Sequence, residues 1–172
     1  MSAIYMLKGL LTFLFLWLIE IAYSVDCWVP WIDTIKFEMV SDANIDVVDS
    51  NSNYLKKAEV CTQYTGTWPT IADTSRIWDQ AYNVGAGTKY FRQEFEIIGE
   101  PIYGYLITGC DDFITTIING IDVGCGFGNW NVLVYCDVLR FLKSGYNYIR
   151  FACQSKGGKT YFAYKLSIES QI

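Results

Sequence analysis

The sequence predicts an all-β fold, an antiparallel β-sandwich, and three observations carry that prediction. Apolar and polar residues alternate with a period of two in several separate stretches. Turn signals built on Gly, Pro and Asn fall between those stretches at short intervals, and Tyr, Phe and Ile, which suit a pleated half-buried surface, are abundant. No stretch shows the apolar stripe of a long amphipathic helix.

Along the chain, residues 1–24 read as a secretory signal peptide. Lys8 supplies the basic end, "GLLTFLFLWLI" from Gly9 to Ile19 the apolar core, and Ala22-Tyr23-Ser24 the small-residue cleavage site. The run is shorter than the roughly 20 residues of a membrane span, and Glu20 stands where a span would continue. A retained anchor is the alternative reading. Residues 25–172 then form one domain, since roughly 150 residues suit a single core.

Within that domain, "IKFEM" places Ile35, Phe37 and Met39 on one face, and "KYFRQEFEI" does the same for Phe91, Phe95 and Ile97. Asn119-Gly120 lies between two β-branched runs, and both residues tolerate the positive φ of a type I′ turn, so 113–118 and 121–124 are expected to pair as a hairpin. "CDVLRFLKSG" is read as holding a short turn. "YIRFAC" then sets Ile149, Phe151 and Cys153 together, and "YFAYKLSI" sets Phe162, Tyr164, Leu166 and Ile168 together.

Six cysteines, Cys27, Cys61, Cys110, Cys125, Cys136 and Cys153, lie beyond the leader. In an exported chain they suggest up to three disulfides, with 15 pairings open. No C-x-x-C pair and no N-x-S/T sequon is present. The net charge of −5 argues against nucleic acid as a partner. Histidine is absent, so a histidine-based triad is excluded and the usual nitrogen ligands of a catalytic zinc are missing.

The chemistry-bearing candidates are few. If the extended chain continues back through Asp111-Asp112, the two carboxylates point to opposite faces and cannot flank one glycosidic bond. Their expected role is to accept loop N–H groups at a strand end; a calcium ion is the rival use, since hard cations take carboxylate oxygens. "GFGNWN", residues 126–131, is the candidate binding loop: Trp130 offers an aromatic face, and Asn129 and Asn131 offer amides for hydroxyl groups. Trp68 and Trp78 are assigned to the core. Trp28 and Trp31 form an aromatic N-terminal segment that packs on its own domain or on a neighbour.

The stretch from "RIWD" through "YFRQEFEI", "YLITGCDDFITTIINGIDVG" and "NWNVLVYCDVLRFLKSGYNYIRFAC" resembles the galactose-binding-like β-sandwich modules, jelly-roll domains often appended to glycoside hydrolases and cell-surface proteins. The residues that carry the resemblance are Ile77-Trp78, Tyr90-Phe91-Arg92 with Phe95, Cys110-Asp111-Asp112, Ile118-Asn119-Gly120 with Val123-Gly124, and Tyr135-Cys136-Asp137-Val138 followed by Leu142, Gly145 and Asn147. It covers about residues 65 to 169. Two departures stand out: Cys110 replaces the alanine common before the Asp pair, and Cys136 is inserted between Tyr135 and Asp137. The resemblance implies a galactose-binding-like jelly roll that recognises a sugar without cleaving it.

Together these readings predict a secreted, extracellular, non-catalytic, lectin-like domain. Its partner is a glycan or glycoconjugate, its binding residues are Trp130, Asn129, Asn131, Asp111 and Asp112, and it needs no cofactor. The alternative is a structural or adhesive protomer of an extracellular filament or coat, assembling through the N-terminal segment or the sheet edges.

Overall fold

The period-two alternation sorts side chains onto two faces of each strand, and two antiparallel sheets bury one face apiece against each other. The computed structural model describes residues 33–62, 68–80, 86–129, 131–158 and 160–172. The expected leader, Cys27, Trp28 and Trp31 lie outside them, and so does Trp130. Among the described residues no helix is long and apolar enough to cross a membrane.

Among the described residues thirteen strands follow in chain order: β1 (Thr34–Val40), β2 (Asp46–Val48), β3 (Tyr54–Lys57), β4 (Glu59–Val60), β5 (Ile77–Trp78), β6 (Gly87–Ile97), β7 (Glu100–Cys110), β8 (Phe113–Ile118), β9 (Ile121–Asp122), β10 (Phe127–Gly128), β11 (Val134–Asp137), β12 (Gly145–Ser155) and β13 (Phe162–Gln171). The turn expected near Leu139 is a short 3-10 helix, Leu139–Phe141, whose first amide donates to Asp137 Oδ1 at 3.0 Å. One sheet runs β11-β7-β13-β5-β4, with β1 also on β13; the other runs β10-β8-β12-β6-β2-β3, with β9 on β8. The expected alternation of β6, β12 and β13 is largely kept: Phe91, Ile97, Ile149, Phe151, Cys153, Phe162, Tyr164, Leu166 and Ile168 are buried, and Phe95 is half-buried against the same core. The sandwich also begins earlier than the resemblance alone suggests, since β1 to β3 are integral to the two sheets.

Aromatic rings dominate the space between the sheets. Phe162 stacks on Phe91 with centroids 4.9 Å apart, and Phe151 meets Phe162 and Tyr164 at 4.7 Å each. Trp78 joins Phe91 at 5.6 Å, which gives it the expected core role. Trp68 is also buried, but in a second cluster with Ile71, Tyr161 and Ala163. Tyr161 and Ala163 alternate with Phe162 and Tyr164, so this cluster covers the opposite face of the first sheet. Gly109 makes the approach possible: a Cβ there would meet the Trp68 ring at 2.8 Å.

The Asn119-Gly120 turn has φ of 51° and 85°, the two positive values of the expected hairpin turn. Pairing is shorter than expected, ending at Asp122. Asp122 Oδ1 accepts the Gly124 amide at 2.8 Å and Gly124 has φ of 72°, so the chain turns away there. Asn119 also reaches across the end of the sandwich, donating from Nδ2 to Phe141 O at 2.9 Å and to Asn147 Oδ1 at 2.8 Å.

One premise of the sequence reading fails. β7 stops at Cys110 and Asp112 has φ of 73°, so Asp111-Asp112 is a tight corner carrying the chain from one sheet to the other rather than part of an extended strand. The left-handed conformation at Asp112 is one that short polar side chains tolerate.

Candidate functional site

The end of the sandwich at the β7–β8 corner gathers most of the predicted binding residues. Phe113 begins β8 and pairs with Gly128 of β10, so Asp112 precedes and Asn129 follows the same last rung of the ladder. Asn129 and Asn131 are both exposed. Asn129 Oδ1 accepts the Asn131 amide at 3.5 Å, a local turn within the loop. Trp130, between them in the chain, lies outside the described residues.

The two aspartates do different work. Asp112 Oδ2 accepts the backbone N–H of Lys156, at the start of the turn joining β12 to β13. Asp111 donates its own N–H to Tyr161 O at 3.1 Å, and its carboxylate receives the Ser155 hydroxyl at 3.5 Å. Ser155 Oγ in turn accepts the Gly157 amide at 3.1 Å. The pair therefore stitches two corners that are 44 residues apart in sequence; Asp112 accepts a loop N–H, the role expected of both, whereas the Asp111 carboxylate takes a hydroxyl. Burial, and after it the neighbouring Asp112 carboxylate, push Asp111 up to about 6 against the pull of Ser155.

Two residues at this end were missed by the sequence reading. Phe113 is 40% exposed, its ring packs on Gly128, and Lys156 Nζ lies 4.5 Å from the ring centroid. The outward parity of Phe113, Thr115 and Ile117 in "FITTII" is a signal that could have identified the first. Nothing local in the sequence points to Lys156.

Chemically, the end presents exposed amides, an aromatic edge and a carboxylate oxygen. These groups hydrogen-bond and pack; with no histidine in the chain, none has the common base that activates a nucleophile. Among the described residues no three His, Cys, Asp or Glu side chains converge to hold a metal ion. Of the six cysteines, Cys125 and Cys136 form a disulfide with Cα atoms 6.1 Å apart, a bond compatible with an oxidising compartment.

The domain is thus a β-sandwich module with loops and turns gathered at its end. No family model and no curated protein matches it. Among solved structures the fold is similar to a β-glucuronidase from Ruminococcus gnavus, at 9% identity and a TM-score of 0.48, over 77% of this chain and 29% of that one. It is also similar to a β-D-glucuronidase from Dictyoglomus thermophilum, at 14% identity and a TM-score of 0.44, over 74% and 28% of the two chains. The chain spans less than a third of the length of either glucuronidase.

Proposed function

We propose that the protein is a secreted, non-catalytic, galactose-binding-like module that recognises a glycan at the end of its sandwich, with Asn129, Asn131, Trp130 and Asp112 as the contacting residues and Asp111 as a support beneath them. The observation that carries the reading is the convergence on one end of exposed amides, a carboxylate and the partly exposed Phe113, from β8 and from the β10–β11 loop. A sugar needs this mixture: apolar C–H faces pack on aromatic surface while hydroxyls pair with amides and carboxylates. The supporting corner is cross-tied by backbone hydrogen bonds, so the groups are held in place before a ligand arrives, which lowers the ordering cost of binding.

Assembly into a filament through sheet edges draws no comparable support. Among the described residues the edge elements β3, β4, β9, β10 and β11 are two to four residues long and β3 carries Lys56 and Lys57, while the seven-residue edge strand β1, paired with β13 alone, carries Lys36 and Glu38; short and charged edges discourage edge pairing.

The test is a glycan array probed with the natively folded protein, followed by titration of the best glycan against Trp130→Ala and Asn129→Ala/Asn131→Ala. Each variant is expected to lose at least tenfold in affinity with its melting temperature within a few degrees of the parent. Binding that survives both variants, or an array with no retained glycan, sinks the assignment.

A further inference from the structure

Two cysteines outside the established disulfide face each other across the core. Cys110 is the last residue of β7 in one sheet, and Cys153 lies near the end of β12 in the other. Both are buried, at 3% and 0% exposure, in the same apolar cluster between the sheets. Both are free thiols, and the chain brings them together: Cys153 is the register partner of Ile114, four residues beyond Cys110, and Ser155 hydrogen-bonds Asp111 at 3.5 Å, while the Cys110 thiol contacts the Asp111 carbonyl at 3.4 Å. Neither neighbours a histidine, since the chain has none, and neither belongs to a metal-holding group among the described residues. A catalytic or metal-binding use is therefore left without its chemical partners.

From this juxtaposition we infer that Cys110 and Cys153 are a second disulfide site, a covalent tie between the two sheets. The tie fixes one pairing among the fifteen that six cysteines allow. It also explains the two departures from the galactose-binding-like pattern together. Cys136, the inserted residue, is bonded to Cys125, and Cys110, standing in place of alanine, meets Cys153.

The oxidation is a thiol–disulfide exchange. One thiolate attacks a disulfide of the oxidant, either glutathione disulfide or a protein disulfide, and forms a mixed disulfide while releasing one oxidant thiol. The second thiolate then displaces the other oxidant sulfur. One S–S bond is made and one is broken, two electrons pass from the cysteines to the oxidant, and the two protons end on the oxidant's thiols. Burial, and after it the neighbouring Cys110 thiol, keep Cys153 protonated in the closed sandwich. Exchange therefore takes place before the sheets close, and the finished bond is shielded from reductants afterwards.

The test is a non-reducing peptide map of the full chain, purified without reductant from an oxidising expression host and alkylated under denaturing conditions. Trypsin with a protease that cleaves before aspartate isolates each cysteine of interest: 93–110 contains Cys110, 151–156 contains Cys153, and 122–136 contains Cys125 and Cys136 together. The expected product is 93–110 joined to 151–156, lighter than the sum of the two thiol peptides by two hydrogens, beside an internally linked 122–136. Alkylated, unlinked Cys110 and Cys153 overturn the inference, most directly in protein whose 122–136 peptide is cross-linked. A bond from either residue to Cys61 or Cys27 overturns it too. As a second measurement, adding Cys110→Ala/Cys153→Ala to the Cys125→Ser/Cys136→Ser protein should remove the reductant-dependent shift in urea midpoint that the latter keeps; an unchanged shift refutes the tie.

Discussion

Replacing Asn147 with alanine should be among the most damaging single changes in the domain. The side chain is fully buried and makes four hydrogen bonds. Its Oδ1 accepts the Lys143 amide at 3.1 Å and the Asn119 side-chain amide at 2.8 Å, while Nδ2 donates to Lys143 O at 2.7 Å and Gly145 O at 2.8 Å. Truncation removes all four and strands their partners. Lys143 is exposed and part of that set can turn to water; with about two groups left dry at ~1–3 kcal/mol each, the loss is ~4 kcal/mol. Against a total of roughly 5–15 kcal/mol this is a large share, and for a domain near this size it lowers Tm by about 10 °C. Urea unfolding followed by tryptophan emission measures the change directly, with an unchanged slope showing that the unfolded state is the same. A loss under about 1 kcal/mol would refute the reasoning, because it would mean that the buried amide is not what holds this end of the sandwich. A double-mutant cycle with Asn119→Ala should return a coupling of about 1 kcal/mol from the bond the two share.

The remaining predictions concern the corner and the second cluster. Because Asp111 is pushed up to about 6 in the folded state from about 3.9 when unfolded, the unfolded chain gives up this proton first as pH rises. Its contribution therefore favours the fold below about pH 4 and declines between about pH 4 and 6, by on the order of 2 kcal/mol. Asp111→Asn should be more stable than the parent at pH 7 and should lose that slope in a series of melting curves; a parental slope in the variant contradicts the assignment. Gly109→Val should lift Trp68 from the sheet, since even a Cβ meets its ring at 2.8 Å. A red shift in tryptophan emission and a Tm lowered by several degrees are expected, and an unshifted spectrum would show that the ring is not seated there.

The parts of the fold legible in the sequence are those where alternation is uninterrupted. β13 carries apolar residues at every second position from Phe162 to Ile168, and β6 and β12 do so over most of their inward faces, with Gln93 and Asn147 among the polar exceptions, so these faces can be read directly. β7 is as long as β6 but harder to read, because Pro101, Gly104 and Gly109 look like breakers. Each glycine instead answers to something lying across the strand: a Cβ at Gly104 would meet Leu142 at 2.5 Å and the backbone of Leu139 at 3.2 Å, and one at Gly109 would meet Trp68. Such crossings are made by residues distant in the chain, and no local pattern reports them. The same holds at the candidate site. The strand-end role of the Asp pair follows from its residue type, whereas the partners Ser155 and Lys156 come from 44 residues away. The tight corner at Asp112 escaped because a backbone with positive φ at a non-glycine residue leaves little trace in residue type.

The position of β13 has a consequence for how the protein is made. It is the strand on which β7, β1 and β5 all pair, yet its residues leave the ribosome after those of every other strand. Until Phe162–Gln171 emerges, one sheet has no middle, and the apolar faces of β1 and β7 have nothing to close on. The domain therefore cannot mature progressively from its N-terminal side during synthesis; its folding waits for Phe162–Gln171 and then engages long-range pairings at once. A premature stop within that segment would remove the keel of the sheet, not a tail, and the shortened chain should fail to fold rather than fold in a weakened form.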